Sequence, residues 1–190
     1  MTITVTTPPA EEPLTLSDAK AHLRVDASDE DAYIADAVVA ARRAVEARTG
    51  LTLITQTLTW TFDEFPEGAV LALPAGPVQS VTAVRSYDAD GVASVYGASN
   101  YTLDGGAQTP RVVRKAGAVW PTPGRNALGG AVEFVAGFGA AAVVPEDLVQ
   151  AVRILTAHYF ERRELSEADR QTRTPDGFEA LIAPHRRVRL

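Results

Sequence analysis

At Gly50 the spacing of apolar residues along the chain changes from three-to-four to two, so helical and extended structure must occupy separate stretches. Before that point Ile34, Ala37, Val38, Ala41 and Val45 repeat at helical spacing through Thr49. Gly50 then supplies the residue that most readily takes the left-handed conformation ending a helix. After it, Ile54, Leu58, Trp60 and Phe62 share one side of an extended segment and Thr55, Thr57, Thr59 and Thr61 the other, the pattern of a half-buried strand. Further strands are expected at 70–73, 78–87, 101–103, 111–115 and 131–135. Pro74, Gly76-Pro77, Asp90-Gly91, Gly105-Gly106 and the run 121–124 separate them as turns.

Helical spacing resumes at Pro145, which suits a first helical position ahead of Glu146 and Asp147. Leu148, Val152, Leu155 and Tyr159 carry the period to about Leu165. A polar run from Ser166 to Asp176 reads as an exposed loop, and a short helix from Phe178 to Ala183 stops at Pro184. Near the N-terminus Thr15 and Asp18 have the spacing of a capping pair, Leu14 is placed for a staple, and Leu16, Ala19 and Leu23 share a face. A second helix start is expected at Ser28, with Asp29, Glu30 and Asp31 in the first turn.

Neither group of helices can bury a core alone. The economical solution is an α+β fold in which the N- and C-terminal helices form a small α-helical bundle with an antiparallel β-module inserted between them. The expected organisation is 1–50 as N-terminal helices of the helical core, 51–144 as the inserted β-module, and 145–190 as C-terminal helices with an extended basic tail. Gly50, Gly137 and Gly139 fall at the junctions, where they are expected to act as caps or hinges.

Composition removes several functions. Among 190 residues there is no cysteine, which excludes disulfides, thiolate metal sites and thiol nucleophiles. The net charge is −6, and residues 1–50 hold five basic against nine acidic side chains, too few cations for tight nucleic-acid binding. No stretch is long and apolar enough for a membrane span, and the first twelve residues lack the basic and apolar regions of a signal peptide.

Catalytic patterns are also missing. His22, His158 and His185 fall on three different elements, and the pair His158 and Glu161 lacks the second histidine of a zinc-protease helix. Asp88-Ala89-Asp90-Gly91 resembles the start of a calcium loop, but the twelfth position is Ser99 where a glutamate is needed, so a hairpin turn is the better reading. No catalytic residue, cofactor or metal is expected, and the chain does not read as an enzyme. Beyond Pro184 the segment holds Arg186, Arg187 and Arg189 and no acid, and Val188 and Leu190 alternate with Arg187 and Arg189, a pattern suited to docking on another protein by strand pairing plus charge.

Several of these segments, taken in order, resemble the head-tail connector (adaptor) family of long-tailed phages. They are Pro13 to Leu16, Ala19 to Asp26, Ala41 to Gly50, Val132 to Gly139, Val144 to Leu148 running into Ala157 to Glu164, and Ala180 to Arg186. Phe138 and His185 stand where many relatives carry tyrosine. The length resembles the longer form with a β-module found in phage-derived gene transfer agents. The resemblance implies a homo-oligomeric ring, about twelve copies for a closed cyclic assembly, docked on the portal protein. Such a ring extends the DNA channel without sequence-specific binding and presents a surface to a neck or tail-terminator protein. It also implies assembly in the bacterial cytoplasm, a final place in the particle neck, and portal docking by Arg186, Arg187, Val188, Arg189 and Leu190. An alternative is a particle-surface binding module for carbohydrate or receptor, with Trp60, Tyr96, Tyr101 and Trp120 as aromatic contacts.

Overall fold

The computed structural model describes residues 1–106, 109–162, 175 and 177–186. Along the chain lie β1 (Thr2–Thr7), α1 (Leu16–Leu23), α2 (Asp31–Thr49), β2 (Gln56–Phe62), β3 (Val70–Ala72), β4 (Val78–Tyr87) and β5 (Ala93–Tyr96). They are followed by β6 (Tyr101–Asp104), β7 (Arg111–Arg114), β8 (Gly130–Ala136), α3 (Glu146–Glu161) and α4 (Phe178–Ile182). Two units result: a β unit of Met1–Ala10 and Thr55–Gly137, and a helical unit of Glu11–Ile54 and the described residues from Phe138 onward. The α+β architecture matches the expected one, with antiparallel strands inserted between two groups of helices. Met1–Ala10, grouped with the helices in the sequence reading, enters the β unit through β1.

In the helical unit α1 starts where its cap predicts. The Thr15 hydroxyl oxygen accepts the Asp18 N–H at 3.1 Å and donates to the Asp18 carboxylate at 2.6 Å. Leu14 is buried and Leu16 is exposed, so the staple residue and not the first helical leucine reaches the core. The second helix begins three residues later than Ser28, because Ser28 to Asp31 closes a turn through the Asp31 N–H, and Asp31 pairs with Lys20 at 2.5 Å. Pro145 takes the capping position of α3 and its carbonyl accepts the Leu148 and Val149 N–H groups. Ile34, Val38, Ala41 and Val45 of α2 share one core with Leu148, Val152 and Leu155 of α3 and with Phe178 and Ile182 of α4. The long α3 ends at Glu161; the end expected at Leu165 and most of the loop expected at 166–176 lie outside the described residues.

A charge lies in this unit at the edge of the apolar stripe. Arg42 is only 4% exposed and donates from Nε to Glu12 at 2.6 Å and from Nη1 to Glu46 at 2.8 Å. Glu46 in turn accepts the Leu53 N–H at 2.9 Å. Burial works against the Arg42 charge, but the hydrogen bond to Glu12 and the charges of Glu46 and Glu12 outweigh it and hold the guanidinium above its ordinary value. Burial pushes the Glu46 carboxyl up, and the Leu53 N–H and Arg42 pull it back only in part.

In the β unit a five-stranded antiparallel sheet has the order β1-β2-β8-β4-β5, and a second sheet the order β3-β7-β6. Paired residues lie on the same face, so Ile3, Trp60, Val132, Val84 and Tyr96 form one row across all five strands. Leu71, Tyr101 and Val112 of the second sheet join Trp60, Val84, Val132 and Phe134 in one core. The opposite face of the larger sheet carries Thr2, Thr61, Ala131, Arg85 and Val95, with an Arg85–Glu133 pair at 2.7 Å. β1 and β5 were not expected from the sequence. Every residue of β1 is exposed, so burial leaves no alternation there.

Removing the Arg42 charge while keeping its bulk tests the buried network. Arg42→Met is expected to cost about 3 kcal/mol at neutral pH, because Glu46 and Glu12 lose their countercharge. In the variant the folded-state pKa of Glu46 rises further above its unfolded value. The variant's deficit is therefore smallest below the ordinary carboxylate range and grows as pH rises through the folded value. Denaturant midpoints at pH 4.5 and 7.5 check this; an equal deficit at both would overturn it.

Candidate functional site

The C-terminal segment expected to dock on a partner begins from a fixed base. α4 buries Phe178 and Ile182 in the helical core, and the Arg48 guanidinium sits 5.2 Å from the centre of the Phe178 ring. The short 3-10 turn Ala183–His185 follows directly. His185 Nε2 lies 2.5 Å from Asp147 Oδ2, while Asp147 Oδ1 accepts the Leu148 N–H at 2.9 Å. One carboxylate thus accepts a backbone N–H in the first turn of α3 and holds the end of the C-terminal turn. Arg186 pairs with Glu179, and both side chains are about half exposed. A pair in that setting contributes little to stability. Arg187, Val188, Arg189 and Leu190 lie outside the described residues.

The three glycines singled out in the sequence all have positive φ. Gly50 is the left-handed cap of α2, with φ 73° and its N–H donating to the Glu46 carbonyl at 2.9 Å. Gly137, φ 129°, ends the β unit and donates its N–H to the Pro77 carbonyl. Gly139, φ 139°, lies in the helical unit, where a Cβ would come within 2.7 Å of Val143 Cγ2. Between the last two, the Phe138 N–H donates to the Leu53 carbonyl at 3.1 Å and Ile54 bridges Gly139. The segment leaving the helical unit therefore lies beside the segment that returns to it.

The aromatic residues considered for ligand recognition are packed on one another. Trp60, Tyr101 and Trp120 are buried, and Phe65 stacks on Trp120 at 5.5 Å between centroids while Tyr96 contacts both Trp120 and Tyr101. The Trp120 indole N–H is spent on the Gly68 carbonyl at 2.9 Å. Burial also pushes the Tyr101 hydroxyl above its ordinary value. Beside this cluster is an open cleft of about 500 Å³ lined by Glu64, Phe65, Glu67, Arg114, Trp120 and Arg125. Its two arginines are engaged locally, Arg114 with the Ala118 carbonyl and Arg125 with the Leu128 carbonyl and the face of Tyr87.

His22, His158 and His185 are not brought together, and no group of three metal-ligating side chains occurs among the described residues. Burial lowers the His158 pKa, with Arg162 adding to the effect and Glu161 opposing it. Asp88 to Gly91 forms the hairpin turn between β4 and β5, with the Asp88 carboxylate accepting the Asp90 and Val92 N–H groups. No described helix is long and apolar enough to cross a membrane.

A family model for phage gp6-like head-tail connector proteins matches residues 13–90. Among solved structures, a chain in the virion of a native gene transfer agent (GTA) particle is 32% identical, with a TM-score of 0.81 over 100% of this chain and 97% of that one. A chain in the neck of the native GTA particle, with C12 symmetry, is 30% identical at a TM-score of 0.82. One in the neck of the empty particle, with C6 symmetry, is 34% identical at 0.79, and both have the same coverage as the virion chain. No curated protein sequence matches.

Gly50→Val tests the helix cap. A β-branched side chain is strained at a left-handed position, so the variant is expected to lose roughly 1 kcal/mol or more, read as a lower melting temperature. An unchanged melting temperature would remove Gly50 from that role.

Proposed function

Because this chain belongs to the phage gp6-like head-tail connector family, we propose that it is a structural subunit of a particle neck, docked as a ring on the portal protein and linking capsid to tail. The observation that carries the reading is its likeness, along the whole chain, to chains from the virion and necks of GTA particles. About twelve copies close the ring, each presenting one surface to the next. The portal protein lies on one side and a neck or tail-terminator protein on the other. The ring forms in the bacterial cytoplasm and ends in the neck of the particle.

DNA passes through the extended channel without sequence-specific contact. A net charge of −6 supports this, because acidic walls keep phosphates from adhering. No catalytic step, cofactor or metal enters the function. Arg186 and the residues 187–190 dock on an acidic or sheet-edge surface of the portal, a role favoured by the exposed Arg186–Glu179 pair and by the His185–Asp147 anchor just before it. Gly137 and Gly139 act as hinges where the chain returns from the β unit.

Electron microscopy of the protein mixed with its portal is expected to show a closed ring, while light scattering of the protein alone shows a monomer or weak association. A stable symmetric dimer unchanged by portal would overturn the ring. Deleting 186–190 is expected to leave the melting temperature nearly unchanged, since terminal residues outside the core contribute little. Portal binding falls at least tenfold and becomes less salt-sensitive. A truncated protein that occupies portals normally, or one that has unfolded, would count against the docking role.

A further inference from the structure

We propose that neighbouring copies of this chain join edge to edge, β5 of one copy pairing in parallel with β1 of the next, so that the five-stranded sheets continue from subunit to subunit. The inference rests on the ring reading above and specifies the surface that closes it.

Among the described residues, the two outer strands of the larger sheet are its unpaired edges, β1 on one side and β5 on the other. Soluble proteins usually guard such edges with lysine, proline or inward-pointing charge, since a bare edge is a template for another strand. Thr2–Thr7 and Ala93–Tyr96 contain neither a charged residue nor a proline. A register shift between Val5 and Thr7 breaks the outer end of β1 and leaves Thr2 to Val5 regular, a length that matches the four residues of β5. Both edges also expose apolar side chains: Ile3 at 43%, Val5 at 55% and Val95 at 68%. Ile3 and Val5 face the side of the sheet that carries the core yet lie outside the core cluster.

Strand direction selects the partner. Every neighbouring pair in the sheet is antiparallel, so β1 and β5, four steps apart, run the same way. A twofold axis would bring like edges together in opposite directions. A ring with C12 symmetry, as in the neck of the native GTA particle, turns each copy by about 30°, a twelfth of a full turn. Unlike edges then meet nearly parallel, within reach of the roughly 20–25° twist between adjacent strands of any sheet. Full overlap of the two four-residue segments sets Thr4 beside Val95 and Val5 beside Tyr96. Each of these pairs lies on a common face, because Val95 shares the face of Thr2 and Tyr96 that of Ile3.

The chain has no native cysteine, so introduced ones report cleanly. Within one copy, Thr4 and Val95 are separated by four strand spacings, about 19 Å, far beyond the reach of a disulfide. Thr4→Cys combined with Val95→Cys, assembled on portals and mildly oxidised, is expected to give a ladder of covalent multimers on a non-reducing gel. Each single variant is expected to stay monomeric on that gel, and Val5→Cys with Val95→Cys, on opposite faces, to give no ladder. Counting the hairpin from the Asp88 N–H to Val92 carbonyl bond, the ladder turns the Val95 N–H outward. Val95→Pro removes that donor at a position an edge strand tolerates. It is expected to keep the melting temperature and lower ring yield at least tenfold. Rings that form without the ladder, Val95→Pro rings at normal yield, or dimers from a single-cysteine variant would overturn edge pairing while leaving the ring itself standing. Failure of the unmodified protein to form any ring would overturn both.

Discussion

A nearly inaccessible guanidinium organises the helical unit. Arg42 sits on α2 beside the face that buries Val38, Ala41 and Val45, and a charge in that position is tolerated only with its donors satisfied. Glu12 and Glu46 satisfy them, and Glu46 then fixes the backbone at Leu53. Three stretches of chain are tied to one side chain: the segment before α1, the middle of α2, and the segment that leaves for the β unit. Hydrophobic packing alone would leave the approach and departure of that chain loosely specified, whereas directional charge-assisted hydrogen bonds do not.

What could be read from the sequence follows burial closely. β2, β4 and β8 each carry buried side chains, and their spans were expected nearly to the residue. α2 and α3 were legible for the same reason, since Ile34 to Val45 and Leu148 to Leu155 repeat at helical spacing into a shared core. The two strands that escaped notice, β1 and β5, are the sheet's edges, where burial imposes no alternation. Composition did carry a sign of β1: all six residues from Thr2 to Thr7 are β-branched. Asp147 was legible as a first-turn acid of α3 but not as the partner of His185, because that contact joins positions 38 residues apart. Arg42 was equally silent, although a charged pair four residues apart beside a buried stripe was its available signal.

The motifs that carry the family resemblance are caps and amphipathic faces. Thr15, Gly50 and Pro145 each mark where a helix starts or stops. None is distinctive by itself, because caps and turns obey the same stereochemistry in every protein. Their order has weight because it dictates where one periodicity hands over to another.

The adjacency of Leu53–Ile54 and Phe138–Gly139 has an evolutionary corollary. Seen from the helices, the 83 residues from Thr55 to Gly137 begin and end almost at one point, so a shorter or longer cassette could be grafted there with only a small change in loop-closure entropy. The N-terminal strand complicates such an exchange. β1 belongs to the same sheet but precedes α1 and α2 in the chain, outside the cassette, and a replaced cassette would strand it without a partner. Recombination that swaps this module among related particles must therefore carry both pieces together, or supply an edge that Thr2 to Thr7 can still join.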